Sequence, residues 1–276
     1  MSRASTLLAV LAVLACSGTA AGDGGTPRAR TAAEDAGGGA GAGAAPVTYR
    51  LVQAGMGFVP VHVLSFSPAA VEMRLLFPPK GQSLSAVKDM PGCSEALACF
   101  NGPFFTTDDR PIGLLISGGR RIQKLKSTSW GVFYVDRDHR AHVAARSHYQ
   151  RLVGSDGVEF AVQSGPGLLG GSKTASLSKG LALRTAVGID RDGQVHVVVT
   201  RMPVSLSFLA RFGAEDLHLV EMLNLDGGSS SQLVTHDGLA RVDLPAAAVA
   251  AGIGLYPRAT GASAPGAPAS PEGTSP

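Results

Sequence analysis

Through the middle of the chain, apolar positions come in short runs bounded by Gly, Pro, Asn, Asp or Ser. In 59–65, Val61 and Val63 alternate with His62 and Leu64, the two-residue period of a strand with distinct faces. The same reading predicts strands at 47–52, 71–77, 95–100, 112–117, 121–125, 130–136, 141–145, 160–164, 184–190, 195–200, 217–225 and 253–256. Turn residues join several of them into hairpins, through Gly118-Gly119, Asp138-His139 and Asp192-Gly193. Helix signals are few. Ser83 or Ser85 can cap a helix that Pro91-Gly92 stops, and Ser205 or Ser207 can cap another that ends at Gly213. Many strands and few helices predict an α+β fold: one domain with a large, mixed or mainly antiparallel sheet.

The pattern stops at both ends. Residues 7–15 form an apolar run too short to span a bilayer, and it closes on Val13-Leu14-Ala15-Cys16-Ser17. This resembles a bacterial lipoprotein signal peptide over 1–16, in which Cys16 becomes the lipidated first residue. Ordinary secretion with cleavage after Ala20 or Ala21 is the alternative. Both predict export, either as a membrane-anchored lipoprotein facing the periplasm or cell surface, or as a secreted protein. Residues 17–45 are rich in Gly and Ala and have nothing to bury, as expected of a flexible linker. Residues 259–276 are small, polar and Pro-rich and are expected to be a disordered tail, which leaves the domain at 46–258.

Composition narrows the partners. Charged residues are 16% and aromatic residues 5% of the chain, and the formal charge is +3, so neither an electrostatic footprint nor stacking platforms for nucleic acid are present. The membrane enters only through the lipid anchor. Basic residues cluster once, at Arg120, Arg121, Lys124 and Lys126, and read as a solvated hairpin edge. With Cys16 set aside, Cys93 and Cys99 form an even pair, expected as a disulfide in an oxidising compartment, with two reduced buried thiols as the alternative. Histidines lack a zinc-ligand spacing and no Gly-x-Ser-x-Gly elbow is present, so no cofactor is expected; a divalent cation such as calcium near Asp226 stays open.

Four segments concentrate polar groups and glycines at strand ends, where scaffolds present site residues. They are Phe100-Asn101-Gly102-Pro103-Phe104-Phe105, Gln163-Ser164-Gly165-Pro166-Gly167, Leu183-Arg184-Thr185-Ala186-Val187-Gly188, and Asn224-Leu225-Asp226-Gly227-Gly228-Ser229-Ser230-Ser231. In this order they resemble the phosphodiester glycosidase family, which includes exported bacterial proteins linked by name to exopolysaccharide. The resemblance covers about 47–256. Two positions depart from the family pattern: Ser229 stands where a third glycine is usual, and Pro103 lies inside the first motif.

The resemblance implies a hydrolase that cleaves glycosyl-1-phosphodiester bonds in surface or extracellular glycans. Such a substrate places an anionic phosphate beside an acetal carbon. Arg184 offers a charged fork for the phosphate, and Gly227, Gly228 and Ser229 offer N–H groups. Asp226 is the expected catalytic carboxylate for an oxocarbenium-like transition state. Asn101 is expected to contact sugar hydroxyls or phosphate, with Gly102, Gly165 and Ser230 lining the site. Asp108, Asp109 and Glu221 are candidates for a second carboxylate by position only. Against each stands a plainer role: Asp226-Gly227-Gly228 as a simple turn, Arg184 as an edge charge paired with Asp190 or Glu159, and Phe104 and Phe105 as core or site wall. The alternative function is a non-catalytic glycan-binding or polysaccharide-assembly lipoprotein on the same fold.

Overall fold

The structure is a computed structural model that describes residues 45–55, 58–153, 157–236 and 238–258. The expected signal segment with Cys16, the linker to residue 44 and the tail 259–276 lie outside the described residues.

The strands divide among three sheets rather than forming one large one, and every ladder between them is antiparallel. The first sheet contains β1 (Val47–Ala54), β2 (Val59–Phe66), β12 (Val195–Thr200), β11 (Thr185–Asp190), β13 (Leu219–Asn224) and β10 (Gly167–Leu169), in that spatial order. The second runs β15 (Asp243–Leu244), β14 (Leu233–Thr235), β4 (Ala98–Asn101), β16 (Gly252–Pro257) and β3 (Val71–Leu76). The third runs β6 (Arg120–Gln123), β5 (Leu115–Ser117), β9 (Val158–Ser164), β7 (Gly131–Asp136) and β8 (Ala141–Ala145).

The period-two pattern explains how these sheets share a core. On the first sheet, Leu64, Phe66, Val187, Val195, Val197 and Val199 face inward. They meet Phe100, Ile253 and Leu255 of the second sheet and Phe133, Phe160 and Val162 of the third. The other face of the first sheet presents Val61, Val63, Ala186 and Val198 to the helix α2 (Leu206–Glu215), through its Leu206, Leu209 and Phe212. Both faces of this sheet are therefore covered, and its strands read as nearly continuous apolar runs. Burial on both faces also fixes register, since a one-residue slip would exchange the two sets.

Two helix expectations change. Ser205 caps α2 by accepting from the Phe208 N–H, but the helix continues through Gly213 to Glu215. Gly213 is inside because a Cβ there would lie 2.7 Å from Met222 Sδ, so the missing side chain lets the helix settle on β13. At 83–90 only one 3-10 turn forms, Val87–Asp89. Its backbone donors and acceptors go elsewhere: Ser85 pairs with Val249 in both directions, and the Val87 N–H donates to Gln232 Oε1 at 2.7 Å. Ser83 and Ser85 do not cap it; the Ser83 hydroxyl donates to Asp109 at 2.5 Å and that of Ser85 to the Ala86 carbonyl. Cys93 and Cys99 are joined as a disulfide between a short turn and β4.

Candidate functional site

Strand ends from all three sheets converge on one place. β13 runs into Asn224-Leu225-Asp226, and β11 begins after Arg184, antiparallel to it. The Leu225 N–H donates to the Thr185 carbonyl at 2.9 Å, which fixes the Arg184 side of the turn against the Asp226 side. β4 of the second sheet ends in Asn101, and the Gly102 carbonyl after it accepts from the Asp226 N–H at 3.3 Å. β9 of the third sheet ends at Ser164, and the Gly165 carbonyl accepts from Asn224 Nδ2 at 3.0 Å.

Asn101 ties these ends together. It is fully buried. Its Nδ2 donates to the Asp226 carbonyl at 2.8 Å, and its Oδ1 accepts from Thr185 Oγ1 at 2.8 Å and from the Gln232 N–H at 3.2 Å. The expectation that Asn101 contacts the sugar is corrected: its amide is enclosed and engaged by protein groups. Gly102 is likewise a packing residue. Its N–H donates to the Ala251 carbonyl at 3.0 Å, and a Cβ on it would lie 2.9 Å from that same oxygen.

The 226–230 turn is also bound up internally. The Gly227 N–H donates to Asp226 Oδ1 at 2.8 Å, and the Gly228 N–H to the Leu183 carbonyl at 2.8 Å. Neither donor is left for a phosphate, which corrects the expected three-donor cradle. The Ser229 N–H has no hydrogen-bond partner among the described residues, and Ser229 is exposed. The left-handed position is Gly228, at φ 63°; Ser229 is not among the residues with positive φ, so a side chain there costs no backbone strain.

Asp226 is 9% exposed, and burial raises its pKa above the ordinary carboxylate value. Hydrogen bonds from the Ser230 side chain and the Gly227 N–H partly oppose that rise. Arg184 reaches the same turn. A Cβ on Gly227 would lie 2.9 Å from the Leu183 carbonyl and 3.9 Å from Arg184 Cδ. The guanidinium donates from Nε to the Val204 carbonyl at 3.1 Å and from Nη2 to the Gly180 carbonyl at 2.7 Å. It makes no ion pair among the described residues; Asp190 pairs with His196, and Glu159 with His139 and Arg258. The edge-charge reading of Arg184 is thereby removed. Burial lowers its pKa somewhat, and it remains a cation.

Gly165 serves a neighbouring wall. A Cβ on it would lie 2.8 Å from the Trp130 indole, so the glycine lets the ring lie on the backbone. Phe104 packs against Trp130 with ring centroids 5.3 Å apart. Nothing local in the sequence marks Trp130 or Gln232 as site-forming residues; Thr185 does have a signal, its place inside the Arg-Thr-Ala segment. Gln232 braces the turn, accepting from the Val87 N–H and donating to the Ser230 and Ala247 carbonyls. The proposed second carboxylates are engaged elsewhere or unengaged: Asp109 accepts from Ser83, Glu221 accepts from the Val143 N–H at 2.6 Å, and Asp108 is exposed. Three buried polar atoms in the converging segments have no protein partner: Ser164 Oγ, Asn224 Oδ1 and Ser231 Oγ. Buried polar atoms are rarely left unpaired, which sets these three apart from the rest of the buried polar groups. Among the described residues, the one grouping of three potential metal ligands is Cys93, Cys99 and His236, and its sulfurs are joined to each other.

The phosphodiester glycosidase family profile matches residues 94–256, more than half of the chain, and the chain belongs to that family. The fold agrees with it. The catalytic domain of zebrafish N-acetylglucosamine-1-phosphodiester alpha-N-acetylglucosaminidase, described as auto-inhibited by its pro-peptide, superposes with a TM-score of 0.57 at 17% identity, covering 77% of this chain and 82% of that one. A Burkholderia pseudomallei protein whose description names export only as a supposition gives a TM-score of 0.53 at 16% identity, covering 75% of this chain and 76% of that one. A hypothetical Synechocystis protein gives 0.52 at 16% identity, with 77% of this chain and 62% of that one covered. No curated protein sequence matches the chain.

The raised pKa of Asp226 makes a stability prediction. The folded state holds this proton more tightly than the unfolded chain, so the group favours folding at low pH. That contribution is lost as pH rises from the ordinary carboxylate value, near 4, through the elevated one. Asp226→Asn keeps an acceptor for Gly227 and removes the buried charge. Its melting temperature is expected above wild type at neutral pH, with the difference shrinking towards pH 4; a variant less stable at neutral pH than at pH 4, relative to wild type, would contradict this.

Proposed function

We propose that the protein is an exported hydrolase that cleaves glycosyl-1-phosphodiester bonds in extracellular or surface glycans. Family membership supports the reaction class. The observation that carries the reading to these residues is a buried, protonation-sensitive carboxyl, Asp226, on a turn whose Gly227 packs near Cδ of Arg184, a residue with no carboxylate partner among the described residues. Nη1 of Arg184 has no acceptor among the described residues, and it offers its hydrogens to the phosphate. The Ser229 N–H and hydroxyl add a second contact at the exposed end of the turn. The Trp130–Phe104 pair offers an aromatic wall for the sugar.

In this reading, water adds to the anomeric carbon as the bond from that carbon to the phosphate oxygen breaks. The phosphate monoester leaves with the electron pair, held by Arg184. Asp226, as carboxylate, stabilises the oxocarbenium-like state and takes the proton released by water. A phosphate monoester is a good leaving group, so the mechanism does not require a second carboxylate as strong acid. Asn101, Thr185 and Gln232 act by holding the turn in place.

The test uses the purified protein and a panel of α-glycosyl phosphodiesters, following sugar release. Wild type is expected to release sugar. Asp226→Asn should reduce kcat by about 100-fold or more, and Arg184→Lys should raise KM about tenfold by losing the planar fork. The pH–rate profile should rise through a value above the ordinary carboxylate range. Binding without release would support a non-catalytic glycan-binding protein, and equal activity in Asp226→Asn would remove that residue from the chemistry.

We also propose export as a lipoprotein anchored through Cys16, on the pattern of the first sixteen residues. Cys16→Ala is expected to move the protein from the membrane fraction to the soluble exported fraction; unchanged partitioning would contradict the anchor.

A further inference from the structure

The basic residues after the Gly118-Gly119 turn are more than a hairpin edge. β6 is an edge strand of the third sheet, and the chain after it, 124–129, forms a strap alongside that sheet. At the other edge, β8 is followed by α1 (Arg146–His148) and a π turn, Tyr149–Val153. Tyr149 packs on the same apolar layer as Leu114, Ile116, Val132 and Tyr134, with Leu125 of the strap against it. Between strap and helix lies a cavity of about 510 Å³. Arg121, Lys124, Lys126 and Arg146 line it, and none of its lining residues is acidic.

Charge alone would not make this a site. Tyr149 supplies a second observation. It is 2% exposed and lines the cavity, and its phenol oxygen has no hydrogen-bond partner among the described residues. Burial pushes its pKa up to about 12, so the phenol remains a donor in need of an acceptor. Lys124 and Lys126 are exposed, and Arg146 donates to Gln150 Oε1 at 2.7 Å and has no ion-pair partner among the described residues.

The strap links this cavity to the candidate active site. Gln163 is fully buried and uses its whole amide on the strap and its neighbour. Its Oε1 accepts from the Leu114 N–H at 3.1 Å and the Lys126 N–H at 2.9 Å; its Nε2 donates to the Lys126 carbonyl at 2.9 Å and Thr128 Oγ1 at 3.1 Å. The next residue in β9 is Ser164, followed by Gly165 under Trp130. Lys126 and Trp130 are four residues apart. Extended chain of that length reaches at most about 14 Å, the span of a few sugar units. We infer that this cleft binds an anionic saccharide segment, bearing carboxylate or phosphate groups, that flanks the bond presented to Asp226. The flanking position rests on the proposed function; the binding does not.

The test is titration calorimetry on the Asp226→Asn protein, so that nothing is consumed. The probes are oligogalacturonate, a phosphorylated mannan oligosaccharide, neutral dextran and inorganic polyphosphate. Binding is expected to one of the two anionic saccharides, which identifies the anion, with dextran and polyphosphate at least tenfold weaker. Lys124→Gln/Lys126→Gln should weaken that binding about tenfold and flatten its salt dependence. Tyr149→Phe should weaken it severalfold without lowering the melting temperature. Undiminished binding by the double lysine variant, or polyphosphate binding as tight as the saccharides, overturns the cleft. In the active protein, the double lysine variant should hydrolyse a small α-glycosyl phosphodiester at the wild-type rate. If wild type hydrolyses no diester while the saccharide still binds in the cleft, the proposed function fails and this inference stands.

Discussion

The buried amide of Asn101 is the constraint on which the site depends. One side chain holds the carbonyl of Asp226, the hydroxyl of Thr185 and the N–H of Gln232. These belong to segments from two different sheets: Asp226 and Thr185 adjoin the first, and Gln232 precedes β14 of the second. Each of the three groups is buried or enclosed, so each would forfeit water without gaining a partner if the amide were lost. An unmade buried hydrogen bond costs about 1–3 kcal/mol. The amide therefore specifies one arrangement of the turn among those that its glycines allow.

That specification has an electrostatic consequence. The Asp226 backbone is held at both its N–H and its carbonyl, and its buried carboxyl accepts from the Gly227 N–H. Its pKa rises, and Gly227 and Ser230 can only moderate the rise. The same turn keeps the Gly227 and Gly228 N–H groups for itself, so recognition of an anion falls to Arg184 and to the exposed Ser229 end. Covering the first sheet on both faces gives the turn its rigid base, since β11 and β13 cannot slide without exposing one apolar set. The aromatic wall and the cationic strap then extend from the third sheet, joined to the turn through Ser164, Gly165 and Asn224.

Much of this was legible in the chain. The β11–β12 hairpin announces itself through an apolar run, Asp192-Gly193 and a second apolar run, and the structure pairs them in register from Thr185↔Val199 to Ile189↔Val195. Asp226, Gly227 and Arg184 stand out because their motifs follow one another in family order. What stayed hidden depends on contacts between distant segments. The helix expected at 83–90 had good local signals, yet Val249 and Gln232 claim its backbone groups. β10, β14 and β15 are only two or three residues long, too short for any period to show. Asn101 was visible as important and misjudged in role, because an amide that can bind a sugar hydroxyl can equally bind a backbone carbonyl. Trp130 enters only because Gly165, thirty-five positions away, lacks a side chain.

The central claim is that Asp226 is a buried, protonation-sensitive carboxyl on a turn against which the Arg184 side chain packs, and that this guanidinium seats the phosphate. It is tested most directly by carbon-detected NMR titration of the Asp226 carboxyl, with and without a non-hydrolysable α-glycosyl phosphonate diester. The account predicts a midpoint above the ordinary aspartate value in the free protein, moving higher when the anion binds and returning to the free value in Arg184→Ala, where the anion no longer seats. A midpoint at the ordinary value, unmoved by the phosphonate, would contradict it.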